Sequence, residues 1–230
     1  MRTFTVEHDG VALHVTRGGS GRPLVFCPGL SVSQEDLAEL ISLLRRDFDV
    51  VAFDLSGHGR SSAGPFTFEG FYADLTAVMN AVALDSPVLM GYSLGADLAV
   101  RYAASHPADT VVVVDGANPI AEPFITEEYL PEFREIFGDA DVLRLNMEID
   151  AFRLSILDRW RKISAPVTVV TSTWIAGEDG PERHNALWLD GFDRLAREVP
   201  RAAMTRLPTD HGLVFTHAGE IAAIVKEAAD

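Results

Sequence analysis

Short runs of β-branched and apolar residues alternate along the chain with segments whose apolar positions recur at helical spacing. Each run predicts a strand, and the predicted strands cover residues 4–7, 11–16, 24–27, 50–53, 88–91, 111–114, 167–171 and 202–207. Asp9 and Gly10 form a two-residue turn signal between the first two runs, which predicts an antiparallel hairpin. The runs at 111–114 and 167–171 are almost wholly apolar, as is typical of strands covered on both faces of a parallel sheet.

The segments between the strands predict helices. Ser33 followed by Asp36 predicts a helix start, after which Leu37, Leu40 and Leu44 share one apolar stripe. The other predicted helices cover residues 71–84, 94–105, 182–198 and 218–229. A hairpin followed by alternating strands and helices predicts a doubly wound, mostly parallel α/β sheet with helices on both faces.

The segment 117–164 interrupts this alternation. It contains three prolines, many aromatic residues and two or three helical stretches, but no strand pattern. It is too long for an ordinary connection, and it follows the carboxyl end of a strand, where open α/β sheets bind ligands. We therefore predict one domain, residues 1–230, in which 117–164 forms a small helical cap. An extra pair of surface helices is the simpler alternative.

Composition excludes several classes of partner. The chain carries 34 acidic and 19 basic residues, a formal net charge of −15, which disfavours binding to nucleic acid and to anionic membranes. No apolar run reaches the roughly 18 residues of a membrane span, and the N-terminus lacks the apolar core of a secretory signal, so we expect a cytoplasmic protein. The single cysteine and the absence of zinc-binding spacings predict no disulfide, no metal and no cofactor. The oligomeric state stays open, a homodimer included.

A G-x-S-x-G pentapeptide lies between a predicted strand and a predicted helix, at residues 91–95. A turn that sharp strains the central residue and tolerates no bulk one turn away, a condition that Gly91 and Gly95 meet. Ser93 would then be held at a helix N-terminus, where the helix dipole favours an anion. A glycine-rich turn with an idle serine is the alternative, but the strand–turn–helix context favours a nucleophile.

Four further motifs accompany the pentapeptide, namely C-P-G-L at 27–30, D-L-S-G-H-G-R-S at 54–61, S-H-P at 105–107 and D-H-G at 210–212. In this order they resemble the α/β-hydrolase fold family, and the resemblance covers nearly the whole chain. It implies an eight-stranded, mostly parallel sheet with an N-terminal hairpin. It also implies a nucleophile, a histidine base and an orienting acid.

A serine hydroxyl needs a base to take its proton. The resemblance places that base at His211, in the loop after the last strand, with His217 as the nearby alternative. It also implies an oxyanion hole formed by two backbone N–H groups, those of Leu94 after the nucleophile and Leu30 after the third strand.

The orienting acid has two candidates, because the family places it between the serine and the histidine along the chain. Most members carry it after the strand at 167–171, where Asp179 would need a loop longer than usual. A minority carry it after the preceding strand, which here runs directly into Asp115. This tight placement favours Asp115, with Asp179 as the alternative.

The serine at the elbow favours acyl transfer to water over the reactions for which family members use an elbow aspartate. We therefore expect a hydrolase acting on a small-molecule ester, lactone or thioester. A lyase, a cyclase, a cofactor-free haloperoxidase and a ligand-binding protein on the same scaffold are the alternatives. The expected substrate-binding residues are aromatic side chains of the cap and loops, each of which could instead pack the core: Tyr92, Phe124, Tyr129, Phe133, Phe137, Trp160, Trp174 and Trp188.

Overall fold

The computed structural model describes residues 1–230 and contains the eight expected strands in one sheet. They are β1 (Arg2–His8), β2 (Val11–Gly19), β3 (Arg22–Cys27), β4 (Phe48–Phe53), β5 (Val88–Tyr92), β6 (Val111–Val114), β7 (Val167–Trp174) and β8 (Ala202–Asp210). Their order across the sheet is β1-β2-β4-β3-β5-β6-β7-β8. β2 pairs antiparallel with β1 and β4, and all other pairs are parallel. The predicted mostly parallel sheet with an N-terminal hairpin is confirmed.

The predicted two-residue turn closes that hairpin. His8 pairs with Val11, so only Asp9 and Gly10 lie between the strands. Both turn residues have positive φ, 45° for Asp9 and 80° for Gly10. That combination matches the twist of the flanking strands and is favoured by an Asp-Gly pair.

Nine helices cover the two faces of the sheet. They are α1 (Ala38–Leu44), α2 (Phe68–Val82), α3 (Leu94–Ala103), α4 (Leu130–Phe137), α5 (Ala140–Leu154), α6 (Leu157–Lys162), α7 (Glu182–Glu198), α8 (Leu213–Thr216) and α9 (Ala218–Ala229). Alternate strand residues enter different cores, as β6 shows. Val111 and Val113 belong to the core cluster that includes residues of α2, α3 and α7, whereas Val112 and Val114 belong to the one that includes residues of α1 and α9. None of the nine helices is both long and apolar enough to cross a bilayer.

Two helix starts differ from the sequence prediction. Ser33 and Asp36 do exchange hydrogen bonds, but these close a turn, and α1 begins only at Ala38. The backbone N–H of Gln34 instead donates to Asp54 (2.7 Å), a tertiary bond that helical spacing does not reveal. α2 begins at Phe68, three residues before the predicted start, because Thr67 caps it by accepting from the N–H of Gly70.

The segment 117–164 contains α4, α5 and α6 between β6 and β7, and it has no strand. Trp160 on α6 is fully buried, and its indole N–H donates to the Ala117 carbonyl (2.9 Å). Arg153 on α5 pairs with Asp97 on α3. The ion pair ties the segment to α3, the helix that follows β5, whereas the Trp160 hydrogen bond joins the segment to its own first residue.

Candidate active site

Ser93 occupies the sharp turn between β5 and α3. Its backbone has φ 53° and ψ −122°, a conformation that residues with a Cβ rarely adopt. The two flanking glycines allow it. A Cβ on Gly91 would overlap the Gly95 carbonyl oxygen, and a Cβ on Gly95 would overlap the Cys27 carbonyl oxygen. The backbone is therefore packed too tightly around the turn for any other residue at either position.

We expect Gly95→Ala to lower the free energy of unfolding by about 3 kcal/mol or more, because the added methyl meets backbone atoms that cannot rotate away. Urea denaturation followed by circular dichroism measures this loss. Gly219→Ala is the matched control, since Gly219 lies in α9 and a Cβ there meets nothing within 4 Å. A Gly95→Ala protein as stable as the control would contradict the tight packing.

Three side chains predicted at distant points of the chain meet at this turn. His211 Nε2 lies 2.9 Å from Ser93 Oγ, and His211 Nδ1 lies 2.7 Å from Asp115 Oδ2. Asp115 is fully buried, whereas His211 is about one-third exposed. Of the alternatives, Asp179 is exposed and forms no hydrogen bond with His211, and His217 bonds to Thr216 Oγ1 on the surface.

The carboxylate of Asp115 is held from both sides. Its second oxygen, Oδ1, accepts hydrogen bonds from the backbone N–H of Ser172 (2.6 Å), the Thr171 hydroxyl (3.3 Å) and the Trp188 indole (3.3 Å). Donors on one oxygen leave the other free to face the imidazole. The Asp115 geometry therefore depends on β7 and α7 as well as on its own strand.

Two backbone N–H groups next to the Ser93 cavity have no partner within the protein. Leu94 is the first residue of α3, so its N–H has no partner within the helix. The N–H of Leu30 donates no hydrogen bond within the protein. Gly29 lets this loop approach the elbow, because a Cβ there would lie 3.1 Å from the Cβ of Ser93. Both leucines line the same cavity as Ser93.

A family model for the alpha/beta hydrolase fold matches residues 22–224. The chain belongs to this family. A non-heme haloperoxidase from Rhodococcus erythropolis is 35% identical over 121 residues, 50% of this chain and 44% of that protein. The N-formylmaleamate deformylase of Pseudomonas putida is 35% identical over 112 residues, 45% of this chain and 42% of that protein. The matched regions thus span less than half the length of these curated relatives.

The structure of an α/β hydrolase from Sphaerobacter thermophilus superposes on this one with a TM-score of 0.71. The match covers 100% of both chains at 21% sequence identity. At that identity the likeness shows a shared fold. It covers the strands and the helical segment of this α/β hydrolase alike.

The cavity in front of Ser93 has a volume of about 430 Å³ and lies between the sheet edge and the helical segment. Its aromatic walls come from Phe124, Phe133 and Phe137 of that segment and from Trp188 of α7. Four of the aromatic residues expected to bind substrate therefore line the cavity. Trp188 also contacts the Asp115 carboxylate, so it serves both the cavity and the cluster around Ser93.

Tyr92, which was expected to bind substrate, does not line the cavity. It is buried in the core cluster that includes residues of α1 and α9. Its hydroxyl donates to the backbone carbonyl of His211 (2.8 Å), and its ring stacks on the imidazole. Burial raises the pKa of Tyr92 well above its usual value, which keeps the hydroxyl a donor. Tyr92 thus holds the histidine loop in place.

Three other aromatic residues also lie away from the cavity. Trp174 ends β7 and pairs with Asp210, so the cavity wall is formed by the residues that follow it. Tyr129 stacks under the Arg183 guanidinium at 4.1 Å. Trp160 is buried in the core, bonded to the chain where the helical segment begins. The structure contains no group of three or more His, Cys, Asp or Glu side chains that could hold a metal ion.

The sequence reasoning missed five polar residues that line the cavity: Ser31 in the loop after β3, Asn146, Asp150 and Arg153 on α5, and His184 on α7. The three on α5 are spaced four and three residues apart, which places them on one helix face. Burial raises the pKa of the Asp150 carboxyl, and burial lowers the pKa of His184. The spacing was visible in the sequence, but a polar face is normally assigned to solvent.

Proposed function

We propose that this α/β hydrolase cleaves an ester, lactone or thioester of a small molecule through an acyl-enzyme intermediate. The observation that carries the proposal is the hydrogen-bonded chain from Ser93 Oγ through His211 to Asp115, with links of 2.9 and 2.7 Å. A cavity of about 430 Å³ in front of Ser93 is consistent with a small substrate.

In the first half-reaction, Ser93 Oγ attacks the substrate carbonyl carbon while His211 Nε2 takes the hydroxyl proton. The resulting oxyanion accepts hydrogen bonds from the N–H groups of Leu30 and Leu94, each worth about 3 kcal/mol in comparable sites. The bond to the leaving oxygen or sulfur then breaks, and His211 gives its proton to that atom. The acyl group stays on Ser93.

In the second half-reaction, His211 takes a proton from water, and the resulting hydroxide equivalent attacks the acyl carbon. The bond to Ser93 breaks, and the proton returns to its oxygen. Asp115 keeps the N–H on Nδ1 of His211, so that Nε2 is free to accept a proton, and it stabilises the imidazolium that forms twice per cycle.

A second candidate is a cofactor-free haloperoxidase reaction that uses the same three residues. The relative named as a non-heme haloperoxidase supports it. The relative named as a deformylase instead supports acyl transfer to water. The two candidates predict different outcomes once Ser93 has been acylated.

A fluorophosphonate probe and a chromogenic ester test the proposal together. We expect the probe to label Ser93 stoichiometrically, as read by mass spectrometry of the peptide, and to abolish release of p-nitrophenol from p-nitrophenyl butyrate. Labelling without turnover of any ester would favour the second candidate. An unlabelled Ser93 would contradict both.

A further inference from the structure

The face of α5 that lines the cavity carries polar side chains where the opposite walls are apolar. Asn146, Asp150 and Arg153 all reach the cavity, facing walls that include Phe124 and Ile175. The Asp150 carboxylate already accepts a hydrogen bond from the backbone N–H of Ile125 (2.9 Å). The amide nitrogen of Asn146 donates to a carbonyl of its own helix. Arg153 is the charged group of this face with an N–H donor to spare.

The guanidinium of Arg153 is anchored on one side only. Its Nε and Nη2 donate to the two carboxylate oxygens of Asp97, at 2.9 and 2.7 Å. Its Nη1 donates no hydrogen bond within the protein. Asp97 is fully buried in the first turn of α3, which begins after Ser93. A planar, doubly bonded guanidinium cannot swing away, so its unused N–H groups hold a fixed position.

This fixed group belongs to the same cavity wall as the catalytic cluster. The Arg153 Cζ lies 5.4 Å from the centre of the Trp188 ring. That ring lies 6.2 Å from the imidazole of His211, and its N–H reaches Asp115. Ser93, Trp188 and Arg153 therefore line one continuous cavity.

The charges around Arg153 favour a neutral acceptor. One guanidinium is surrounded by the carboxylates of Asp97 and Asp150, so no positive charge is left over for an anionic substrate. Its unused N–H donors nevertheless lack an acceptor within the protein, and a ligand in the cavity can supply one. A ketone or amide carbonyl meets both conditions, since it accepts a hydrogen bond and carries no charge.

We propose that Arg153 is a substrate-binding residue that selects acyl groups carrying a second, neutral carbonyl oxygen a few bonds from the carbon that Ser93 attacks. The inference rests on the proposed function. It assigns this oxygen to the acyl part because the acyl group stays bonded to Ser93 through both half-reactions, whereas the leaving group departs after the first. The natural substrate class is then small keto-acyl or amido-acyl esters, lactones or thioesters.

Two matched esters test the inference, p-nitrophenyl 4-oxopentanoate and p-nitrophenyl pentanoate, which differ only by the distal oxygen. Each kcat/KM is divided by the rate constant for hydroxide-catalysed hydrolysis of the same ester, which removes the difference in intrinsic reactivity. We expect the wild-type enzyme to prefer the oxo ester at least about tenfold, as a hydrogen bond to a buried charged donor implies.

Arg153→Lys tests the residue itself. A lysine keeps the ion pair with Asp97 but lacks the second nitrogen, so we expect the ratio of the two normalised kcat/KM values to fall to about onefold. Arg159→Lys is the matched control, since Arg159 lies on α6 and does not line the cavity. Should Arg153→Lys fail to fold, the preference of the wild-type enzyme still decides the matter.

The possible outcomes distinguish a failure of the role of Arg153 from a failure of the proposed function. Equal turnover of both esters by the wild-type enzyme would overturn the role of Arg153 and leave the proposed function standing. A stronger preference for the mono-p-nitrophenyl ester of glutaric acid would also overturn it, because that substrate carries a carboxylate. Turnover of no ester, together with an unlabelled Ser93, would overturn the proposed function and this inference with it.

Discussion

Replacing Ser93 with alanine is expected to lower kcat for p-nitrophenyl butyrate by on the order of 10⁵-fold or more. Without the hydroxyl no acyl-enzyme forms, and only the oxyanion donors and substrate binding still accelerate attack by water. Steady-state release of p-nitrophenol measures the loss. Ser105→Ala is the matched control, because Ser105 is exposed beyond the far end of α3.

The loss is expected without unfolding. The Ser93 hydroxyl bonds only to His211, so its removal leaves the elbow glycines and the core contacts of α3 in place. We expect the melting temperature of the Ser93→Ala protein, measured by circular dichroism, to lie within a few degrees of that of the wild type. Turnover at the wild-type rate in a folded Ser93→Ala protein would contradict the proposed mechanism.

Asp115→Asn is expected to lower kcat by about 10⁴-fold, whereas Asp179→Asn should leave it nearly unchanged. An amide at position 115 donates to Nδ1 of His211 and so favours the tautomer with its proton on Nε2. That nitrogen then no longer accepts the Ser93 proton. The same p-nitrophenyl ester assay applies to both variants.

The paired variants decide between the two acids that the chain order allows. The reverse pattern, a large loss in Asp179→Asn and none in Asp115→Asn, would assign the acid to the loop after β7. The thermal stability of Asp115→Asn needs to be measured alongside, because its buried Oδ1 also accepts the Ser172 N–H. A loss of activity at an unchanged melting temperature is the expected result.

Local features of the chain predicted most of the fold. The apolar and β-branched runs matched all eight strands. The central strands β5 and β6 are buried on both faces and leave a continuous apolar pattern, whereas β2 alternates between buried and less buried positions. The predicted ends of strands and helices were less accurate. β8 extends to Asp210, and α1 begins late, since both depend on hydrogen bonds to residues far along the chain.

The residues of the candidate active site also differ in how well the sequence predicted them. Ser93 was predictable from five consecutive residues, and His211 from a motif in a family resemblance. The sequence favoured Asp115 but kept Asp179 open, because the choice depends on which carboxylate reaches an imidazole 96 residues away from Asp115. Tyr92 was assigned to substrate although it supports the His211 backbone, since neighbouring residues of a strand point to opposite faces.

The sequence by itself determined the order of strands and helices along the chain and the strained serine turn, since each depends on backbone preferences within a few residues. Only the tertiary structure brought the Asp115 carboxylate, which the sequence merely favoured, to the imidazole and paired Arg153 with Asp97, 56 residues apart. Polar side chains on a helix look the same in sequence whether they face water or a cavity. Which of the two they face depends on what packs against that helix.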